Sequence, residues 1–220
     1  GGTCGLCLFG PGGYSVTNNR DVGPGGIPGI LIWAAVLRPV PPMVEQYVLP
    51  ASALVTATVK NNEIRNHQAV PVGAGLRIAA IGVGAPDVVG SARVVAEYNN
   101  LVNNRFGLIL EAGFPVANTQ LRGDIEVWLA GNNITGNCQN GMLVTLSRHT
   151  TGLGLQAGPT LKSSIYRIHL AEDEISGDIA WSDVWYSHPA GHGNTLIVDG
   201  QIIENGSRIA YDAARVCSSS

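Results

Sequence analysis

The sequence is poor in charged residues. Asp, Glu, Lys and Arg make up 13% of its 220 residues, about half of the ~25% that is typical of soluble domains. Mean hydropathy is positive, at +0.16, and a monomer of this size normally carries more charge on its surface. We therefore expect much of the surface to be buried against other copies of the chain. A lipid-facing surface or a very apolar ligand-binding surface is the alternative.

Basic clusters and long apolar runs are also missing. Lys60 and Lys162 are the only lysines, and no two of the eleven arginines lie closer than seven residues apart. Nucleic-acid binding depends on clustered phosphate neutralisation, so this pattern argues against a nucleic-acid partner. Glycine and proline interrupt every apolar stretch before it reaches the length of a transmembrane helix, so no membrane span is predicted.

Motifs of the common catalytic families are lacking as well. The sequence contains no G-x-S-x-G, H-E-x-x-H or P-loop motif, and Gly82-Val83-Gly84 is not followed by a helical pattern. Its glycines are typical of loop or bulge positions in a β context. The sequence therefore predicts neither an enzyme nor a cofactor.

What is abundant is the alternation of apolar and polar residues that is typical of β-strands. The sequence also contains 29 glycines and 12 prolines, which are typical of turns. In the stretch Ala69–Tyr98, apolar residues alternate on both sides of the turn at residues 84–87, which predicts two strands joined by a loop. Residues 124–129 alternate most clearly, and Asp199-Gly200 is a two-residue hairpin signal. About eleven strands without a convincing helix predict an all-β, β-sandwich or jelly-roll-like fold. Because no repeat of fixed period is visible, a solenoid is not expected.

The domain organisation predicted from the sequence is an N-terminal arm over residues 1–44 and one β-sandwich domain over residues 45–220. A split near residues 118–123 is the alternative. The arm is rich in glycine and proline and contains an apolar segment, which is either a central strand of the domain or an arm exchanged with a neighbouring copy. The residues proposed for such an assembly arm are Ile30, Leu31, Ile32, Trp33, Val36 and Leu37.

The region from Glu172 to His192 concentrates functional side chains. Its aromatic and histidine residues could stack on a sugar or hold a metal, and its carboxylates could bind Ca²⁺. A solvated acidic loop followed by packed aromatic residues is the structural alternative. The ligand-binding candidates are Trp181, Trp185, Tyr186, His188 and His192, and the metal candidates are Asp173, Asp178 and Asp183.

The cysteines and two Asn-x-Ser/Thr sequences bear on cellular location. Cys4, Cys7, Cys138 and Cys217 are consistent with two disulfides in any of three connectivities or with free buried thiols. Zinc binding and a redox-active Cys-x-x-Cys are the alternatives. Asn133 and Asn205 begin N-glycosylation sequences in predicted loops. These sequences matter only for a secreted protein.

Two short resemblances point to β-sandwich families. Trp185 followed by Thr195-Leu196-Ile197-Val198-Asp199-Gly200-Gln201 resembles the strand and hairpin near the end of laminin-G or concanavalin-like lectin sandwiches. The run from Leu49 to Asn100 is similar in texture to jelly-roll proteins of virions and phage tails. Neither resemblance implies a role for a particular residue.

Together these observations predict a self-assembling structural protein, a subunit of a virion capsid or tail or of an extracellular filament. Its contacts would be large and apolar, as in obligate interfaces. The alternative is a secreted carbohydrate-binding module with a lectin-like sandwich. The predicted location is a virion or the extracellular space, and the predicted partners are other copies of the chain or, in the alternative, a glycan.

Overall fold

The structure is a computed structural model. It describes residues 5–22, 28–37, 52–69, 73–83, 89–112, 122–145, 165–171, 174–175, 179–182 and 195–203. These residues contain eighteen strands and no helix, so none of them forms a helix that could span a membrane.

The strands form three sheets. Sheet A contains β1 (Leu6–Phe9), β4 (Pro28–Leu37), β7 (Ala74–Val83), β10 (Phe106–Ala112), β13 (Asn140–Thr145) and β16 (Ile179–Ser182). Sheet B contains β2 (Gly12–Thr17), β5 (Ser52–Lys60), β8 (Val89–Glu97), β11 (Arg122–Ala130), β14 (Ile165–Ala171), β17 (Thr195–Val198) and β18 (Gln201–Ile203). Sheet C contains β3 (Arg20–Val22), β6 (Glu63–Arg65), β9 (Asn100–Val102), β12 (Asn133–Ile134) and β15 (Glu174–Ile175).

The order of the strands within these sheets shows a parallel β-solenoid. From β1 to β17, consecutive strands pass from sheet A to sheet B to sheet C, and each strand from β1 to β14 pairs in parallel with the strand three places further along the chain. The predicted β-sandwich or jelly roll is wrong, because those folds need antiparallel neighbours. Among the described strands only β17 and β18 pair antiparallel. The prediction of a capsid or virion subunit therefore loses the support that a jelly-roll fold would give it.

The core lies in the space that the three sheets enclose. Apolar side chains at matching positions of successive strands form stacks, because parallel pairing keeps the same register from coil to coil. Sheet A supplies one stack through Ile32, Ile78, Leu110 and Val144, and sheet C supplies Ile64, Leu101 and Ile134. All of these side chains are buried. The alternation predicted for residues 124–129 is confirmed, since Ile125, Val127 and Leu129 face this core.

Two sharp corners close each coil, and both use the same backbone device. At the corner from sheet B to sheet C, a residue with positive φ precedes an asparagine. The pairs are Asn18 (φ 58°) before Asn19, Asn61 (φ 55°) before Asn62, Tyr98 (φ 52°) before Asn99 and Gly131 (φ 61°) before Asn132. Asparagine and glycine reach this left-handed conformation at the lowest cost, whereas Tyr98 adopts it within a packed corner.

The asparagines of this corner are joined in a ladder along the solenoid. Asn62 donates from its backbone N and from Nδ2 to Oδ1 of Asn99, at 3.1 and 2.9 Å. Asn99 makes the same two bonds to Asn132, at 3.0 and 2.8 Å. Each Nδ2 also donates to a backbone carbonyl of the coil before it, as Asn99 does to Val59. Buried corner amides and carbonyls are thereby satisfied.

A second ladder runs along the corner from sheet C to sheet A. His67 donates its backbone N to Oδ1 of Asn104 at 3.0 Å, and Asn104 does the same to Asn137 at 2.9 Å. The preceding residues, Asn66, Asn103 and Gly136, again have positive φ. His67 takes the asparagine position in its coil, and its buried ring lies 3.3 Å from Oδ2 of Asp21.

Glycine is required where sheet C packs under the start of sheet A. Gly29, Gly75, Gly107 and Gly141 are each the second residue of their strands. A Cβ on Gly107 would lie 2.1 Å from Cγ2 of Ile134, and a Cβ on Gly29 would lie 2.2 Å from Cγ2 of Ile64. A larger residue would therefore displace the isoleucines of sheet C from the core.

The expectation that the chain is not a solenoid is wrong, and the connections between sheets A and B explain why. These connections, at residues 38–51, 84–88 and 113–121, differ in length and lie outside the described residues. The corner from sheet B to sheet C and the corner from sheet C to sheet A are separated by the same number of residues in successive coils. Variable insertions on one side therefore hide a regular structural repeat from a search for a fixed period.

The apolar segment of the predicted arm is a central strand. Ile30, Leu31, Ile32 and Trp33 lie in β4, which pairs with β1 on one side and with β7 on the other. Ile30 and Ile32 belong to the core. Val36 and Leu37 lie further along β4 and align with β7. Of the two interpretations of this segment, the structure shows the ordinary strand.

Sheet A is buried on its outer face as well as on its core face. Leu31, Ala79, Ile109 and Leu143 point away from the core and are nevertheless buried. The same face carries a buried ion pair, in which Arg77 donates from Nη2 and Nε to Oε2 of Glu111 at 2.6 and 3.2 Å. Nη1 of Arg77 and Oε1 of Glu111 make no hydrogen bond within the part of the chain that the structure describes. A single chain thus buries this outer face without help from another copy.

Two local predictions fall on described residues. The hairpin at Asp199-Gly200 is confirmed, because β17 and β18 pair across these two residues and both have positive φ.

Cys7 lies in β1 and Cys138 lies between β12 and β13. Both are disulfide-bonded, and no described cysteine is a free thiol. Cys4 and Cys217 lie outside the described residues.

The ladder predicts a strong dependence of stability on its inner members. Asn99→Ala leaves the Asn62 amide groups, Val59 O and Asn132 Oδ1 without their partner, so we expect a loss of about 3 kcal/mol. Asn19→Ala is the matched control, because Asn19 is exposed at the end of the ladder and should cost about 1 kcal/mol or less. Guanidinium unfolding of both variants measures the difference, and equal losses would contradict the role of the ladder.

The ion pair predicts non-additive stability. Arg77→Met leaves a buried carboxylate unpaired and should destabilise by roughly 3–5 kcal/mol, whereas the double variant with Glu111→Leu should come within about 1 kcal/mol of wild type. Unfolding of both single variants and the double variant completes the cycle. A double variant as unstable as the worse single variant would contradict this prediction.

Candidate functional site

The region predicted to bind ligands lies largely outside the described residues. Trp181 is in β16, and its strand pairs with β13. Trp185, Tyr186, His188 and His192 lie outside the described residues, as do Asp173, Asp178 and Asp183. Among the residues that the structure describes, no group of three or more His, Cys, Asp or Glu side chains could hold a metal ion.

Of the two glycosylation sequences, one is described. Asn133 begins β12 and is half-buried, and its Nδ2 donates to Oδ1 of Asn100 at 2.9 Å. The Thr135 hydroxyl donates to Oδ1 of Asn133 at 2.8 Å. Asn205 lies outside the described residues. Glycosylation of either asparagine stays a prediction.

A shallow groove of about 490 Å³ lies on the solvent-facing side of sheet B. It crosses four consecutive strands of that sheet, β2, β5, β8 and β11. The residues that line it are Gly13, Tyr14, Ser15, Thr56, Ala57, Thr58, Arg93, Val95 and Trp128. The strands position these side chains in rows, because parallel pairing aligns Ser15, Thr58, Val95 and Trp128 across the sheet.

Of the two aromatic residues described in the lining, Tyr14 is partly buried against the core, whereas Trp128 is the exposed one. Its side chain leaves β11 on the face opposite the core residues Val127 and Leu129, and Trp128 is 37% exposed. His169, its register partner on β14, stacks on one face of the indole with ring centroids 5.1 Å apart and planes 9° apart. The groove lies on the other side, towards β8. Stacking thus fixes the orientation of the ring and leaves its second face for the groove.

A charged row lies beside the aromatic row. Arg93, Glu126 and Arg167 align on β8, β11 and β14. Glu126 lies 3.5 Å from Nε of Arg93 and 3.4 Å from Nε2 of His169. This glutamate therefore counters the arginine of the groove and also contacts the histidine that supports Trp128.

The row on the other side of the aromatic row carries a second ion pair. Lys60 donates to Oε2 of Glu97 at 3.0 Å, and its Nζ lies 5.3 Å from the centre of the Tyr98 ring. The two basic side chains described on this part of sheet B are therefore each paired with a carboxylate. Among the described lining residues, the remaining polar side-chain groups are the hydroxyls of Ser15, Thr56 and Thr58, the indole N–H of Trp128, and the hydroxyl of Tyr14, which donates to Gly10 O at 3.4 Å.

Sequence reasoning did not identify this groove. The alternation at residues 124–129 correctly placed Asp124, Glu126 and Trp128 on one face, but the sequence alone did not reveal a ligand site there. A tryptophan on the polar face of an alternating strand was the available signal. No protein-family model, curated protein or solved structure matches the chain.

Groove residues should contribute little to stability. The ion pair of Arg93 and Glu126 is exposed, with 60% of the arginine side chain accessible, and such pairs contribute about 0–1 kcal/mol. Arg93→Ala should therefore change the free energy of unfolding by about 0.5 kcal/mol or less, in contrast to Arg77→Met in the buried pair. Thermal and guanidinium unfolding measure both, and a loss above about 2 kcal/mol for Arg93→Ala would mark it as a structural residue.

Proposed function

We propose that the chain is a carbohydrate-binding protein and that the groove on the outer face of sheet B is its saccharide site. The observation that carries the proposal is the half-exposed, pre-oriented indole of Trp128 at the side of a polar groove. An indole offers an apolar face to the C–H side of a sugar ring and a polar N–H at its edge.

The other groove residues suit the hydroxyl side of a sugar. Ser15, Thr56 and Thr58 supply hydroxyls that both donate and accept hydrogen bonds, and Arg93 supplies further donors. Binding sites commonly combine an apolar surface with a few placed polar groups. Here the strands hold these groups in a rigid array, so little conformational entropy is lost on binding.

This proposal keeps the carbohydrate-binding alternative from the sequence and moves its site. The residues predicted for sugar binding lie at positions 181–192, whereas the groove uses residues of β2, β5, β8 and β11. Self-assembly into an extracellular filament and an extracellular location stay predictions.

A binding assay with insoluble cellulose, xylan, mannan and dextran tests the proposal. We expect at least one of these polysaccharides to retain the wild-type chain. Trp128→Ala should weaken that binding about tenfold or more, because loss of a central aromatic contact costs on the order of 2 kcal/mol.

Tyr98→Ala is the matched control, because Tyr98 is also an exposed aromatic residue, at the corner that follows β8, but does not line the groove. It should bind like wild type. The proposal fails if no polysaccharide binds, or if Trp128→Ala and Tyr98→Ala weaken binding equally.

A further inference from the structure

We infer that the groove binds the terminus of an uncharged saccharide chain and not its interior. This inference rests on the proposed function, and it adds the charge class of the ligand and the part of the polymer that enters.

The ionic contacts of the groove indicate an uncharged ligand. Arg93 is the one cationic side chain among the described lining residues, and Glu126 lies 3.5 Å from it. Lys60, which lies outside the groove, is paired with Glu97 at 3.0 Å. A carboxylate or sulfate on the ligand would have to compete with Glu126 for Arg93 and would be repelled by this glutamate. Hydroxyl groups meet no such barrier.

The stacked pair of Trp128 and His169 closes one end of the groove. The two rings stand nearly parallel on adjacent strands, so the indole presents its broad face along the axis of the solenoid. The described lining residues belong to β2, β5, β8 and β11, and β14 contributes none. A saccharide that lies along the groove therefore meets the face of Trp128 as a wall.

The other end of the groove has no comparable wall among the described residues. On β2, the outermost strand at that end of sheet B, Gly13 has no side chain and Ser15 has a small one. Tyr14, the third lining residue of β2, is partly buried and packs against the core. From β2 to β11 the groove spans three strand spacings, or about 14 Å. A short terminal segment fits this length, with the last sugar ring on Trp128 and the rest of the chain leaving past β2.

Competition with chains of different length tests which part of the polymer binds. The polysaccharide that retains the protein is partly hydrolysed to chains about tenfold shorter, and both preparations compete at equal mass concentration. Terminus binding predicts that the short chains compete about tenfold better, because they carry about ten times as many ends. Equal competition by both preparations would show interior binding and overturn the inference.

Charge is tested with neutral oligosaccharides of the retaining polymer and with oligogalacturonates of the same length. Wild type should bind the oligogalacturonate at least fivefold more weakly than the neutral chain. Glu126→Gln releases Arg93 and should improve oligogalacturonate binding at least threefold. Glu97→Gln, which removes a carboxylate outside the groove, should leave it unchanged. A wild-type preference for the acidic chain would overturn the inference.

Different results contradict the proposed function and the inference about terminus and charge. If no polysaccharide binds, the proposed function is wrong. If a polysaccharide binds through Trp128 but long and short chains compete equally at equal mass concentration, or if the acidic chain is preferred, the saccharide site stands and the inference is wrong.

Discussion

The constraint on which the structure depends is the satisfaction of buried backbone groups at the corners of each coil. A strand that turns sharply leaves amides and carbonyls without strand partners, and burying them unpaired costs about 1–3 kcal/mol each. Asn62, Asn99 and Asn132 meet this need because one side-chain amide can both accept from the coil before it and donate. The left-handed residue before each asparagine turns the chain into sheet C. Parallel register and the stacked core follow from this repeated corner.

The burial of sheet A changes the meaning of the low charge. The low fraction of charged residues predicts that other copies of the chain cover the surface. In the structure, both faces of β7 are buried within one chain, down to Arg77 and its partner Glu111. Burial of this outer face within one chain therefore accounts for part of the low charge, and self-assembly stays a prediction.

The outer faces of sheets A and B differ in how far they are buried. The outer face of sheet A is packed, so a substitution there is felt as a cavity or an unpaired charge. On the outer face of sheet B, Arg93 and Trp128 are exposed, and their ion pair and ring stack cost little to change. Strands that are rigid on one face can display side chains on the other at fixed spacing. Under the proposed function, this arrangement would let a shallow groove be specific for its ligand.

The sequence by itself determined the local elements. Alternation identified residues 124–129 as a strand with Ile125, Val127 and Leu129 inside, and Asp199-Gly200 identified a hairpin, because period and turn chemistry are local properties. Tertiary structure alone decided which strands pair, since alternation is the same in parallel and antiparallel sheets. A repeated signal was present in Asn61-Asn62, Tyr98-Asn99-Asn100 and Gly131-Asn132-Asn133, but insertions between sheets A and B hid its period. The groove, too, needed the fold: Ser15, Thr58 and Trp128 are far apart in the chain and become neighbours only through parallel register.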